Sequence, residues 1–226
     1  MRFAAIETSG DWCSVALWRD GEIAALERRA PNRHSELALP LLEKLLGEAG
    51  LTASQLDGVA FGAGPGSFTG LRIACGLAQG LAFARDLPVI AVSSFEAIAQ
   101  ESGETRVAAC IDARMREVYY SALEKQAGAH LSPWREVVPA QCVAPREAAP
   151  PPGEGWAGCG NGFQAYPEFL SGKILRKKPE VHPTAFAVAQ LAAPRFAAGE
   201  GIDAALAAPV YLRDKVAFTT QELGNR

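Results

Sequence analysis

Three features of the chain's order predict a two-lobe α/β fold. Residues 3–27 read as an antiparallel meander of strands. A strand, a glycine-rich loop and a helix of small residues follow between Gly58 and Arg85. Near position 105 the pattern restarts, because Ala109-Cys110-Ile111-Asp112 repeats the character of Ala4-Ala5-Ile6-Glu7: an apolar strand ending in an acid, then a short turn and a return strand. The expected division is a first lobe over residues 1–105 and a second over 106–226, with the closing segment packing back on the first.

In order, the meander has strands at 3–7, Cys13 to Trp18 and Glu22 to Glu27, with Asp20-Gly21 as a hairpin turn. Leu37, Leu41, Leu42, Leu45 and Leu46 recur at helical spacing and predict a helix from Ser35 to Ala49. Asn32 or Ser35 is its expected cap, Pro40 is tolerated only near the first turn, and Gly50 suits the left-handed end. Thr52 and Gln55 stand at capping-box spacing. A buried strand from Gly58 to Gly62 leads into the loop Gly64–Gly70, and a helix is expected from Leu71 to Arg85. Val89 to Val92 reads as a strand, with Ser93 or Ser94 capping a helix through Gln100.

In the second half, Val107 to Asp112 and Glu117 to Leu123 read as strands joined by a turn over 113–116. The proline-rich stretch 139–155, with Pro150-Pro151-Pro152, reads as an extended loop. Trp156-Ala157 enters a second glycine loop, Gly158–Gly162. A helix from Thr184 to Ala192 is expected to stop before Pro194, and Pro209 to Arg213 looks extended, fraying beyond.

Composition narrows the function. Of the 226 residues 49% are apolar and 21% charged, a globular balance. No apolar run reaches the roughly 18 residues of a membrane span, and Glu7 interrupts the N-terminus too early for a signal peptide, so a cytoplasmic protein is expected. The net charge of −3 supplies no global field for independent nucleic-acid binding. Lys173 with Arg176-Lys177-Lys178 is the one basic cluster, and reads as a solvated face. The five cysteines have no C-x-x-C spacing, and His34, His130 and His182 form no helical pair, so neither a disulfide framework nor a metal site is expected.

Two local patterns carry the candidate chemistry. In Gly64-Pro65-Gly66-Ser67-Phe68-Thr69-Gly70, strand-to-helix placement would let backbone amides hold a phosphate, with Gly64, Gly66, Ser67, Thr69 and Gly70 as contacts. Leu71-Arg72 replace the Lys-Ser/Thr of a Walker loop, and the glycines run G-x-G-x-x-x-G, so the alternative is a tight turn that packs helix on sheet. In the following helix Gly76 and Gly80 lie four apart on one face and admit a close neighbour, either an internal helix or a partner's. Glu7 and Asp112 end matching strands, where a carboxylate either holds a magnesium-bound water or bonds turn amides. Neither position has a second carboxylate, and no nucleophile–base set is legible, so no catalytic residue is assigned.

The nonamer Gly64-Pro65-Gly66-Ser67-Phe68-Thr69-Gly70-Leu71-Arg72 resembles the signature of the TsaB (YeaZ) family. So do Ala5-Ile6-Glu7-Thr8-Ser9, Arg33-His34-Ser35-Glu36, the stretch from Ile111 to Tyr119, and Pro209-Val210-Tyr211-Leu212-Arg213, in order over nearly the whole chain. The family more often carries Asp where this chain has Glu7, so no metal role is carried over to it. The resemblance implies an actin-like ATPase fold of the sugar-kinase, heat-shock-chaperone and actin superfamily, with a ribonuclease H-like motif in each lobe. It also implies a non-catalytic subunit of the complex that puts a threonylcarbamoyl group on the adenosine beside the anticodon of tRNAs reading codons that start with A. The implied partners are the paralogue TsaD, which carries metal and chemistry, the ATPase TsaE, and tRNA through the complex, with a homodimer in isolation. ATP or ADP at the complex interface is the only cofactor implied. The expected partner face is Leu71, Arg72, Cys75, Gly76, Gln79, Gly80 and Phe83. The competing readings are a stand-alone ATPase or small-molecule kinase using the two glycine loops, and a peptidase.

Overall fold

The computed structural model describes residues 1–128 and 131–213. The first sheet holds β1 (Arg2–Glu7), β2 (Trp12–Arg19), β3 (Glu22–Arg29), β4 (Gly58–Gly64) and β5 (Val89–Ser93), in the order β3-β2-β1-β4-β5. The second holds β6 (Arg106–Arg114), β7 (Glu117–Lys125), β8 (Trp134–Val143), β9 (Ala157–Cys159) and β10 (Arg176–Lys178), in the order β10-β9-β6-β7-β8. Read from β3 and from β8, the two orders are the same. In each, three antiparallel strands are followed by two parallel ones across the first strand's other edge. The matching openings of β1 and β6 therefore occupy equivalent central places in two ribonuclease H-like sheets, the two-lobe actin-like arrangement.

Alternation along β1 decides the layers. Phe3 and Ala5 face one side of the sheet, Ala4 and Ile6 the other, and all are buried. On the Ala4 and Ile6 side lie α1 (His34–Glu48) and α2 (Phe68–Phe83). On the Phe3 side lie α3 (Ser94–Ser102) and α5 (Ala185–Ala197), in one apolar core with Val107, Ala109 and Leu123 of the second sheet. These two helices are thus enclosed between the sheets. The outer face of the second sheet packs Tyr120 and Phe169 near α4 (Gly162–Ala165).

A small polar relay ties the layers. Gln100 of α3 donates through Nε2 to Gln190 of α5 at 2.9 Å and accepts from Trp134 Nε1 of the second sheet at 3.2 Å. The α5 start is fixed by Thr184, which accepts from Ala187 N, and by Ser14 on β2, which accepts from Ala185 N.

Several boundaries differ from the sequence expectations. Helix α1 begins at His34 after Arg33, so neither Asn32 nor Ser35 caps it. It runs through Pro40, in its second turn; Pro40 and Glu36 are both exposed, so the carbonyl the proline leaves free is on the solvent side of the helix. Helix α5 likewise crosses Pro194 to Ala197, because its apolar face is buried against the sheet and loses only one backbone bond. Residues 139–143 are not loop but the end of β8, an edge strand, where Pro139 costs no interior ladder bond. The 113–116 turn is tighter than expected: β6 extends to Arg114, and Arg114, Met115 and Arg116 all have left-handed backbones, with φ of 62, 54 and 64°. The basic cluster is partly committed, since Arg176 and Lys178 both pair with Glu104.

After α5 the chain returns along the first lobe. Val89 and Ile202 exchange backbone bonds at 2.9 Å, covering the β5 edge, and Ala204–Leu206 forms a 3-10 turn against α2. Val210 N then donates to Ala63 O at 2.7 Å, and Arg213 reaches Glu117 on β7 at 2.5 Å. This strap spans both lobes. The fraying expected beyond Arg213, and His130, lie outside the described residues.

Candidate functional site

The Gly64–Gly70 loop begins where β4 ends, and its shape follows from its contacts. Ser67 N donates to Ser9 O at 2.7 Å, and Thr8 Oγ1 donates to Gly70 O at 2.7 Å. Ser67 Oγ caps α2 by accepting from Gly70 N at 3.4 Å. The helix therefore opens at Phe68, three residues before the expected Leu71, and takes Thr69 and Gly70 into its first turn. A Cβ on Gly66 would stand 2.6 Å from Ser9 Cβ and from its carbonyl oxygen, and one on Gly70 would overlap the Thr8 carbonyl. Gly64, with φ of 115°, touches the strap at Val210. These glycines let the α2 entrance press on the β1–β2 turn, the packing alternative. Among the described residues, Gly66 N, Phe68 N and Thr69 N have no hydrogen-bond partner there.

Gly66, Phe68 and Thr69 line a cleft of about 550 Å³ between the lobes. Its first-lobe wall is the β1–β2 turn with the α1 and α2 entrances. Its second-lobe wall is the β6–β7 turn with Asn161, and Tyr211 and Arg213 of the strap close one end. Asp112 is bound to its own turn: its carboxylate accepts from Arg114 N at 2.9 Å and pairs with the Arg114 guanidinium at 3.0 Å. Asp112 N donates to Asn161 Oδ1, so the second glycine loop holds the β6 end.

Glu7 is 1% exposed. Its Oε1 accepts from Ser9 N at 2.5 Å, while its Oε2 has no partner. Desolvation by burial raises its pKa to about 7, opposed by the Ser9 hydrogen bonds. Both strand-end carboxylates therefore bond turn amides. His34 is buried, and desolvation lowers its pKa, leaving the ring neutral. Burial pushes the Cys13 and Cys159 thiols up to about 11, so neither offers a ready thiolate. Among the described residues no three His, Cys, Asp or Glu side chains converge to hold a metal.

The expected partner face of α2 divides in two. Leu71 and Cys75 are buried against the first sheet and are not available on the surface; they lie on the inward face with Ala74 and Ala78. The returning chain engages the adjoining stripe: Ala207 O accepts from Cys75 Sγ and from Gln79 Nε2. Arg72 lies 3.7 Å over the Phe68 ring and donates through Nε to Tyr211 OH at 3.0 Å. Gly76 and Gly80 are exposed, with nothing within 4 Å of a built Cβ, and Phe83 is 74% exposed. The sequence reading missed Leu206, 72% exposed on the 3-10 turn beside this stripe. A three-residue turn has no periodicity to reveal it. No described helix is long and apolar enough to cross a membrane.

Comparison with known proteins places this geometry. The family model described as TsaD, tRNA N6-adenosine threonylcarbamoyltransferase, matches residues 27–152. The tRNA threonylcarbamoyladenosine biosynthesis protein TsaB of Escherichia coli K12 is 38% identical, over 96% of this chain and 97% of that one. The TsaB of Haemophilus influenzae is 37% identical over 95% and 94%. The solved structure of YeaZ from Pseudomonas aeruginosa superposes with a TM-score of 0.86 at 40% identity, covering 93% of this chain and 99% of that one. The chain belongs to the TsaB (YeaZ) family, the proteins of tRNA threonylcarbamoyladenosine biosynthesis.

Proposed function

We propose that this chain is the non-catalytic platform subunit of the threonylcarbamoyl-transferring complex and docks on TsaD through the outer stripe of α2. The observation that carries the reading is the pair Gly76 and Gly80, open on the surface beside exposed Phe83. Each glycine costs about 1 kcal/mol of helix stability relative to alanine, and among the described residues nothing lies within 4 Å of where a Cβ would stand to require a glycine there. A foreign backbone approaching closely would. Chemistry is left to the partner because four of the five thiols are buried, the two strand-end carboxylates are tied to turn amides, and among the described residues no histidine joins a metal-holding cluster. A homodimer through the same stripe follows for the isolated protein, while TsaE and tRNA join through the complex.

The test is co-purification with TsaD and a modification assay on unmodified tRNA with each subunit omitted in turn. Gly80→Leu is expected to lose TsaD while the monomer stays folded. Retention of TsaD by this variant, or modification of tRNA by the lone chain, overturns the proposal.

A further inference from the structure

The β6–β7 turn has a shape its own residues do not favour. Arg114, Met115 and Arg116 follow one another with φ of 62, 54 and 64°. Glycine, asparagine and aspartate take such left-handed backbone at little cost; Met and Arg do not. Arg114 pairs with Glu117 in the ladder, so Met115-Arg116 form a two-residue hairpin tip with positive φ at both places, where Asn-Gly or Asp-Gly is the usual choice. The Asp112 carboxylate and Asn161 steady the residues before the tip. Local sequence and local shape still disagree at the tip itself, and a backbone of this kind persists where its surroundings hold it.

Arg213 supplies that hold. Its guanidinium pairs with Glu117 at 2.5 Å, donates to the Arg114 carbonyl at 3.4 Å and to Met115 Sδ at 3.6 Å, and stands 5.8 Å from the centre of the Tyr119 ring. One side chain thus touches both flanks of the turn and its tip. It is 15% exposed, so the pair with Glu117 is not the solvent-screened kind that contributes little.

The residues just before Arg213 belong to the other lobe. Val210 N donates to Ala63 O at the end of β4, Tyr211 OH accepts from Arg72 Nε, and the Tyr211 ring lies 5.3 Å from that of Phe68. Between Val210 and Arg213 the strap therefore crosses from the first lobe to the second, past the end of the cleft that Tyr211, Arg213, Arg114 and Met115 line.

We propose that Arg213 is a latch. By holding the β6–β7 turn in its left-handed form it fastens the second lobe to the first and keeps that end of the cleft shut. Without it the turn relaxes, Arg114 and Met115 leave the cleft wall, and the strap loses its anchor on the second lobe. The latch makes no use of Gly76 or Gly80, so it does not rest on the docking proposal.

The experiment is hydrogen–deuterium exchange with mass spectrometry on the full chain, joined to limited chymotrypsin digestion. Arg213→Ala is expected to speed exchange over residues 112–117 about tenfold, the worth of one hydrogen bond to a charged group, while β1 and β4 keep their protection. Glu117→Gln should act in the same direction. It leaves the strap's sequence intact, so faster cleavage after Tyr211 in that variant reads release of the strap alone. Met115→Asn with Arg116→Gly, added to Arg213→Ala, gives the tip residues at ease with left-handed backbone and should return the turn to slow exchange. The strap should stay open to chymotrypsin in that triple variant. Should Arg213→Ala not fold, seen as fast exchange in β1 as well, Glu117→Gln decides. Unchanged exchange over 112–117, unchanged cleavage after Tyr211 in Glu117→Gln, or a turn that Asn-Gly fails to restore overturns the latch.

Discussion

Gly70 lies so close to Thr8 that its carbonyl oxygen accepts from the Thr8 hydroxyl at 2.7 Å, while a Cβ in its place would overlap the Thr8 carbonyl. At Gly76, two turns along the same helix, a Cβ would meet nothing within 4 Å among the described residues. Alanine at the two positions should therefore act in opposite directions. Gly70→Ala is expected to cost about 3 kcal/mol, because the atom it meets is backbone and cannot turn aside. Gly76→Ala and Gly80→Ala should each stabilise the isolated chain by about 0.5–1 kcal/mol. Urea denaturation of the three variants checks both signs.

The docking stripe gives a separate expectation. Phe83→Asp replaces a side chain that is largely in water already, so the midpoint of unfolding should move by no more than about 0.5 kcal/mol equivalent. TsaD should be lost from a pull-down all the same. Leu206→Asp should weaken it too, since that residue is exposed on the turn whose Ala204 and Ala205 line the stripe. Unchanged recovery of TsaD with both variants counts against this face.

Glu7 makes stability pH-dependent. Its pKa rises from 4.5 in the unfolded chain to about 7 in the folded one, so between those values the native state holds a proton the unfolded state has released. The contribution is complete below about 4.5 and is lost as pH climbs through about 7. Over that span the loss is about 3 kcal/mol, an order of magnitude set by the shift. Glu7→Gln, which keeps an acceptor for Ser9 N, should flatten this slope and raise stability at alkaline pH relative to the parent. Denaturation curves at about pH 5 and about pH 8 measure it. A parallel slope in the variant refutes it.

Gln100 bridges the layers, so its loss should be felt by both. Gln100→Leu leaves Trp134 Nε1 and Gln190 Oε1 without their partner and is expected to cost about 1–3 kcal/mol. An accompanying change in tryptophan fluorescence of the folded protein would report the freed indole.

Much of the fold was legible because its signals are local. The Asp20-Gly21 hairpin, the Leu42–Leu46 face and the two acid-ending strands each declare themselves within a few residues. What escaped depends on distant partners. Pro139 reads as loop until β7 is seen to leave it an edge, and Pro194 reads as a stop until the sheet is seen to hold α5. In the site, the spacing of Gly76 and Gly80 gave the open stripe. Spacing alone placed Leu71 and Cys75 with them, although the sheet lies on that side. His34 was readable as a helix opener but not as a buried ring with a free nitrogen, because its walls come from residues 9–11 and 66–70.

The position of α5 has a consequence for how the protein is made. The apolar side of the first sheet, with Phe3 and Ala5, is covered by a helix that begins only at Ala185. While the ribosome is still producing the middle of the polypeptide, only α3 lies on that side, against β4 and β5, and the β1 and β2 surface that α5 later covers stays open to the cell. Nascent molecules halted before Ala197 should bind holdase chaperones and precipitate when released, and the amino-terminal half should not survive as an autonomous fragment.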